Sequence, residues 1–303
     1  MKKLYTVAFF MFMLCSVEVA AQIDVPKSQY VFNNLVINPA YAGSREVLNF
    51  TSFTRMQWVG VEGAPVTMQL IGDIGFPSKR IGVGINLAYD QTGVHSDYLA
   101  SGSFSYKIPI GKDWSLSAGL NIGARYFQSD YDDVLLPVND PAFNTGTVSV
   151  IKPVVGAGLF LQGKSAFAGF SLPKLQDVVV SDVYGVTAYR PVVYIQGGYQ
   201  FDLRPWFSIV PSALIRVSDT DPMVVDLNLI GVYNNVIWMG VSYQYDQTLG
   251  VLTQLQLSKQ LRLGYAYETQ MGSDINLRSN THEIVLNLSM NFSKHKEVSP
   301  RYF

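Results

Sequence analysis

Few residues of this chain have the type and spacing that catalysis needs. The three histidines are His95, His282 and His295, and no second histidine stands four positions after His282, so the H-E-x-x-H zinc motif is absent. Ser279 lies near His282 as a nucleophile would, but a triad also needs a third group that orients the histidine, and the sequence offers none. The sequence therefore predicts a protein that is not an enzyme and that uses no cofactor.

The charged residues instead occupy one side of a repeating pattern. Between Trp114 and Tyr126, apolar residues alternate with small or polar ones, and a period of two is typical of a β-strand. The charged residues that take the polar parity of such segments are Lys107, Arg125, Arg216, Asp226, Arg262, Glu268 and Glu283. Because a charge that faces lipid at mid-depth costs about 2–4 kcal/mol, this parity predicts an inner, polar face and an outer, apolar face.

Residues 47–292 contain about fourteen such segments, which predict an all-β fold, a transmembrane antiparallel β-barrel. In lipid every backbone group must be paired by protein, so the strands must close on themselves. The predicted short turns are residues 75–79, 111–113, 162–164, 202–205, 234–235 and 258–260. The predicted longer connections are residues 56–64, 90–97, 127–150, 173–190 and 269–281, with residues 246–248 as a short exception. Short turns are periplasmic in such barrels, so we expect both termini in the periplasm.

The remaining organisation follows from composition. Residues 1–21 read as a secretory signal peptide, with Lys2 and Lys3 before an apolar stretch and small residues before Gln22. The single cysteine, Cys15, lies inside that peptide. The net charge of -1 gives no reason to expect nucleic acid as a partner. We expect an N-terminal periplasmic or plug segment at residues 22–45, the barrel at 46–293 and a periplasmic tail at 294–303.

Many predicted inward positions are glycines, and two explanations stay open. They are Gly82, Gly84, Gly119, Gly123, Gly156, Gly158, Gly169, Gly198, Gly240 and Gly264. Glycine permits curvature of a sheet, and it also permits another backbone to approach closely. In the second case the N-terminal segment, whose Asn38-Pro39 pair marks a turn, is the candidate that packs against the inner wall. Otherwise the segment lines the periplasmic mouth or meets a periplasmic partner.

Three blocks of residues carry a family resemblance. The first is Gln29 and Tyr30 followed by Ile37, Asn38, Pro39, Ala40, Tyr41, Ala42, Gly43 and Ser44. The second is residues 55–65, which read R-M-Q-W-V-G-V-E-G-A-P, and the third is the ending Pro300, Arg301, Tyr302 and Phe303. Together they resemble the PorP/SprF family of outer-membrane proteins of the Bacteroidota, and the similarity covers essentially the whole mature chain.

The resemblance implies a component of type IX secretion and gliding in the outer membrane of a Gram-negative bacterium. Such a component helps to export or retain secreted surface proteins, often adhesins. The partners implied are outer-membrane lipid, the C-terminal sorting domain of secreted proteins and periplasmic, peptidoglycan-associated parts of the machine. The signature residues to which the resemblance assigns partner binding are Gln29, Tyr30, Asn38, Pro39, Ala40, Tyr41, Gly43, Arg55, Gln57, Trp58, Gly60, Pro300, Arg301, Tyr302 and Phe303.

Two long connections are the candidate docking loops, because loops on a rigid scaffold commonly carry recognition. Their candidate residues are Asp130, Tyr131, Asp132, Asp133 and Phe143 in one loop and Val178, Val179, Val180 and Tyr184 in the other. The valine triplet has strong strand propensity and suits pairing with an incoming β-domain. Alternatively these loops fold over the mouth and seal it. The aspartates lack an EF-hand pattern, so no metal site is predicted.

A different function also fits a barrel of this kind. It is a passive channel for small polar solutes, with a water path lined by Arg125, Arg216, Arg262 and Glu268. The content of the lumen decides between the two: a filled lumen favours docking, and a continuous charged path favours transport.

Overall fold

The computed structural model describes residues 28–130, 146–175, 178–181, 186–219, 222–245, 248–271 and 280–291. The predicted signal peptide, the C-terminal tail and most of the first docking loop lie outside these residues. Within the described residues no helix is long and apolar enough to span a bilayer. The helical segments of this described part are four short 3₁₀ turns at Ser28–Phe32, Asn34–Val36, Pro39–Tyr41 and Pro77–Lys79.

Strands account for most of the described chain. The first nine are β1 (Leu48–Met56), β2 (Val66–Phe76), β3 (Ile81–Thr92), β4 (His95–Ile110), β5 (Trp114–Asp130), β6 (Thr147–Gln162), β7 (Ala166–Leu172), β8 (Val178–Ser181) and β9 (Val186–Tyr189). The others are β10 (Val193–Tyr199), β11 (Phe201–Arg204), β12 (Phe207–Val217), β13 (Val224–Tyr233), β14 (Ile237–Gln244), β15 (Thr248–Gln256), β16 (Leu261–Gln270) and β17 (Thr281–Met290).

The strands close into a barrel through two pairings. β1 pairs with β17, and β10 pairs with both β7 and β12, so the antiparallel ladder has no open end. β11 follows β10 after Gln200 and pairs with β12, which makes it an extension of the same wall. β8 and β9 form a separate two-stranded hairpin. The predicted closed antiparallel barrel of about fourteen strands is therefore confirmed.

The two faces of the wall follow the predicted parity. On β5 the side chains of Leu120 and Ile122 are 63% and 71% exposed, whereas Arg125 is 3% exposed. Of the other charged residues predicted to face inward, Arg216, Asp226, Arg262, Glu268 and Glu283 are buried and Lys107 is partly buried. The outer surface is thus an apolar belt, and the polar residues of the inward parity are enclosed by the wall.

Three predicted connections are wrong in their bounds. Residues 127–150 were expected as a loop, but β5 and β6 stay paired from Phe127 with Val150 out to Asp130 with Thr147. Residues 90–97 were expected as a longer loop, but β3 and β4 stay paired out to Thr92 and His95, and Gly93 supplies the positive φ that a two-residue turn needs. Residues 202–205 were expected as a turn, but β11 continues the ladder to Arg204, which pairs with Phe207. In all three places pairing with the neighbouring strand extends further than the polar and turn-forming residues suggest.

The connections still differ between the two ends of the barrel. At the turn mouth, where residues 77–80, 111–113 and 163–165 lie, adjacent strands are joined by short turns. At the opposite, loop mouth lie the described residues 57–65, 173–175 and 190–192, and the hairpin of β8 and β9 comes between the last two. The strands β4, β5 and β6 have 16 or 17 residues, whereas β13 to β17 have 8 to 10, so one side of the wall rises higher than the other.

Candidate functional site

Residues 28–47, which we call the lumen segment, lie inside the barrel. The Tyr30 hydroxyl accepts a hydrogen bond from Asn228 on β13 at 2.8 Å, and Asn33 Nδ2 donates to Thr51 Oγ1 on β1 at 2.9 Å. On the far side, Ser171 Oγ on β7 donates to the Ile37 carbonyl at 2.6 Å. Strands on opposite sides of a closed barrel face each other only across its interior. A segment that bonds to all three therefore occupies the lumen.

Two asparagines shape the lumen segment locally. Asn33 Oδ1 accepts from Leu35 N at 3.2 Å and Asn38 Oδ1 accepts from Ala40 N at 3.0 Å, so each caps the 3₁₀ turn that follows it. Pro39 takes the first position of the second of these turns, where its missing N–H costs nothing. Asn38 also uses its Nδ2 to donate to the Leu159 carbonyl on β6 at 2.9 Å. One side chain therefore both starts a turn and attaches it to the wall.

Apolar packing holds the middle of the lumen segment. Tyr41 is fully buried, and its ring meets Phe160 edge-on with 5.2 Å between the ring centroids. Phe160 in turn lies 5.9 Å from the Phe167 ring. Arg45 Nε donates to the Tyr41 hydroxyl at 3.0 Å. The polar end of the tyrosine is thus satisfied while its ring fills the interior.

Glycines of the wall allow the backbone of the segment to come close. A Cβ added to Gly82 would overlap the Ala42 carbonyl, one on Gly119 would overlap the backbone of Ala40, and one on Gly158 would overlap the Asn38 side chain. A Cβ on Gly84 would come within 2.8 Å of Leu35. At these positions the close approach of another chain segment, rather than curvature, requires glycine. At Gly123, Gly198, Gly240 and Gly264 the nearest groups belong to neighbouring strands instead.

The exit of the segment toward the turn mouth is also fixed. Gly43 has a φ of +67°, and a Cβ there would come within 2.7 Å of the Cα atoms of Gly75 and Gly82. Its N–H donates to Asp73 Oδ2 at 2.9 Å, while Asn49 Nδ2 donates to the other oxygen of the same carboxylate at 3.1 Å. The sequence analysis did not single out Asp73, although its inward parity on β2 beside Gly75 was a usable signal.

A buried charge cluster holds the other end of the segment. Arg55 bonds to Glu268 at 2.8 Å and to Glu283, and all three side chains are at most 8% exposed. The backbone N–H of Ser28 donates to Glu283 Oε1 at 3.0 Å. Two carboxylates thus share one guanidinium and one backbone donor, an arrangement we call the Arg55 triad. Arg55 was predicted from the family signature, but its link to Ser28 was not.

Three of the other inward cations contact side chains of the wall. Arg125 pairs with Asp97 at 3.2 Å, and Arg216 lies 3.4 Å from Asp226. The Arg262 guanidinium lies over the Trp238 ring at 4.2 Å from its centroid. The channel hypothesis assigns these three arginines to the lining of a water path.

The signature loop after β1 is compact. Gln57 N donates to the Pro65 carbonyl at 2.9 Å, and Val59 N donates to the Asn280 carbonyl at 3.0 Å. Trp58 has a φ of 51° and is half-buried, and Gly60 has a φ of 96°. The loop therefore closes on itself and on the start of β17, at the loop mouth.

The remaining predicted site residues fall into two groups. The described ones are Asp130, whose N–H donates to the Val94 carbonyl at 3.0 Å, Gln29 in the first 3₁₀ turn, and Val178, Val179 and Val180 in β8. Those outside the described residues are Tyr131, Asp132, Asp133, Phe143, Tyr184, Pro300, Arg301, Tyr302 and Phe303. Partner binding by either group, and by the signature residues in the lumen, stays a prediction.

Comparison with protein families identifies the family of this chain. Residues 19–288 match the model of a family described as "Type IX secretion system membrane protein PorP/SprF". A comparison with curated proteins finds no match.

Comparison with solved structures finds outer-membrane barrels. The Ralstonia pickettii toluene transporter TbuX aligns with a TM-score of 0.53 and 10% identity, over 90% of this chain and 96% of that chain. The Acinetobacter baumannii outer membrane protein Omp33 aligns with a TM-score of 0.47 and 9% identity, over 81% of this chain and 99% of that chain. At 10% identity the likeness to TbuX shows the barrel fold alone, and the fold and the family together place the chain in the outer membrane.

Proposed function

The chain belongs to the PorP/SprF family of type IX secretion membrane proteins, and from that premise we propose that it docks secreted surface proteins at the outer membrane. In this function the barrel carries out no catalysis. It fixes the position of its two mouths, so that loops on one side meet the secreted protein and turns on the other meet the periplasmic machinery.

The filled lumen is the observation that carries this proposal. The lumen segment bonds to β1, β7 and β13 across the interior, and the Arg55 triad engages charges that a polar path needs. Close packing of backbone against wall glycines makes the segment part of the interior. A barrel filled in this way serves as a scaffold for its mouths.

The hairpin of β8 and β9 is the part of the loop mouth that we expect to bind the C-terminal sorting domain. It pairs with no other strand among the described residues, and its eight strand residues carry no charge and no proline. Natural proteins usually protect free strand edges with charges or proline. An edge without such protection suits the addition of a strand from a β-domain.

Deleting the hairpin tests this function. We expect a strain whose chain lacks residues 176–189 to assemble the barrel normally but to lose type IX-secreted adhesins from the cell surface into the medium. Deletion of residues 132–144, the other candidate loop, is the matched comparison. Surface retention that stays unchanged in both strains, with the barrel present at its usual level, would reject docking at the loop mouth.

Conductance separates docking from the alternative, a channel for small polar solutes. The purified full chain in a planar bilayer should show no large, steady conductance, because the lumen segment occupies the interior. A large steady conductance from the intact chain would favour the channel.

A further inference from the structure

The two mouths of the barrel differ in charge. The described connections at the loop mouth carry the acidic residues Glu62 and Asp219 and the basic residues Lys174 and Arg190, which balance each other. The connections at the turn mouth carry the basic residues Lys79, Arg80, Lys112, Lys164 and Lys259, and the acidic residue Asp113. Asp202 and Arg204, at the end of β11, balance each other. Although the net charge of the chain is only -1, the described connections at the turn mouth are therefore basic.

The basic residues are concentrated on neighbouring turns. Lys79 and Arg80 join β2 to β3, Lys112 joins β4 to β5, and Lys164 joins β6 to β7. All four are exposed, and we call them the basic patch. Successive turns are two strand spacings apart, about 10 Å, so the patch is about 20 Å wide. Asp113 pairs with Lys164 at 2.5 Å and offsets its charge. Lys79, Arg80 and Lys112 still make the patch positive.

The basic patch lies beside the exit of the lumen segment. The Cα atoms of Gly75 and Gly82, which flank the turn that carries Lys79 and Arg80, contact Gly43 of the segment. Lys107 Nζ lies 3.4 Å from the Ser44 carbonyl and 3.3 Å from Glu46 Oε1. The inner cation is thus paired with the segment, while the cations at the tips of the turns face solvent. The lumen segment holds this rim of the barrel in place.

The position of these cations favours a protein over lipid. The outward positions at this end of β4 and β5, where a lipid headgroup would be met, are occupied by the exposed apolar side chains of Tyr106, Ile108, Ile110 and Trp114. The cations lie beyond them, on the turns. A second copy of this chain does not fit either, because its own turn mouth carries the same basic residues and its loop mouth opens on the other side of the same membrane.

We propose that the basic patch binds an acidic surface of a periplasmic partner protein. This inference rests on the proposed function, in which the turn mouth faces the periplasm, as short turns do in barrels of this class. Charges at the rim of an interface chiefly set the rate of encounter and its salt dependence. The patch therefore recruits the partner to the rim that the lumen segment fixes.

Photo-crosslinking in whole cells tests the proposal. A photoreactive amino acid replaces Lys112 in the patch or, as the matched control, Lys259 on the turn between β15 and β16. We expect Lys112, and not Lys259, to form an adduct with a periplasmic protein through a segment rich in Asp and Glu. An adduct with lipid alone, an adduct through a segment that is not acidic, equal adducts at both positions, or no adduct at Lys112 would overturn it.

Charge reversal then tests the chemistry with the partner so identified. We expect the variant Lys79→Glu, Arg80→Glu, Lys112→Glu to bind the purified partner at least about tenfold more weakly and with less salt dependence. Reversing acidic residues of the partner's crosslinked segment should restore binding. Unchanged affinity in a correctly folded variant would overturn the proposal. Loss of adhesin retention with this binding intact would instead contradict the proposed function at the loop mouth.

Discussion

The inner wall of the barrel has two halves that differ in the size of their side chains. On β3 to β7 the inward positions nearest the lumen segment are small, as at Gly82, Gly119 and Ser171. On β12 to β17 and on β1 many are large, and they include both polar residues, such as Arg216 and Glu268, and apolar ones, such as Trp238 and Leu252. The segment lays its backbone directly on the small half, whereas on the large half it is met by the ends of long side chains. Side-chain volume thus decides where in the lumen a backbone can lie.

The two halves also hold the segment by different forces. The small half supplies close packing and hydrogen bonds to backbone carbonyls, such as that from Ser105 Oγ to Ala42 at 2.7 Å. The large half supplies charges, above all the Arg55 triad. Substitutions in the two halves should therefore have different effects on the barrel and on the lumen segment.

The largest effect is expected on the charged half, from Arg55→Met. Loss of the guanidinium leaves Glu268 and Glu283 buried without their shared cation, which typically costs about 3–5 kcal/mol. The free energy of unfolding by guanidinium in lipid vesicles measures it. Lys164→Met, which breaks the exposed pair with Asp113, is the control and should cost at most about 1 kcal/mol. A similar loss of unfolding free energy in both variants would show that burial of the Arg55 triad adds nothing to the cost of losing the cation.

On the small half, Gly119→Ala should displace the lumen segment. Its Cβ would overlap the Ala40 backbone, and overpacking of this kind costs about 1–3 kcal/mol. Gly102→Ala on the adjacent strand β4 is the control, because the nearest atom to its Cβ would be the Gly84 carbonyl oxygen at 3.8 Å. A cysteine placed at Ala42 should react faster with a water-soluble maleimide in the first variant alone. Equal reactivity in both would contradict the role assigned to the wall glycines.

The two halves were not equally predictable from the sequence. The period of two identified the strands and the enclosed charges, because lipid penalises every departure from it. The excess of inward glycine was visible as well, but curvature and close approach require the same residue. The contacts of Ser28 with Glu283 and of Gly43 with Asp73 join residues far apart in sequence or in irregular structure, so no periodic pattern announces them.

The ends of the connections show a second limit. Polar residues at 90–97 suggested a loop, but backbone pairing of β3 with β4 continues through them and only Gly93 and Val94 turn. Strand length in this part of the wall is set by the neighbour on each side. The sequence of one strand does not show how far the neighbouring strands extend.

A smaller effect should separate the two roles of Asn38. Asn38→Ser keeps a good cap for the turn at Pro39–Tyr41 but is too short to reach the Leu159 carbonyl. Asn38→Ala loses the cap as well, which costs about 1 kcal/mol more. The same unfolding measurement should therefore rank the stabilities as native, then serine, then alanine. Equal stability of the serine and alanine variants would show that the cap adds nothing inside the lumen.

The smallest effect concerns the point where the chain folds back over the wall after β7. There Asn121 Nδ2 donates to the Pro173 carbonyl at 3.3 Å, Leu175 N donates to the Val155 carbonyl at 2.9 Å, and burial lowers the pKa of Lys174 from 10.5 to about 7. Between those two pH values the unfolded chain binds a proton that the folded chain does not, so stability should rise as the pH rises. Because Lys174 is only half-buried, we expect about 1 kcal/mol in total. Lys174→Met should remove this slope from the free energy of unfolding measured between pH 7 and pH 10, and an identical slope in both proteins would show that Lys174 keeps its charge in the folded barrel.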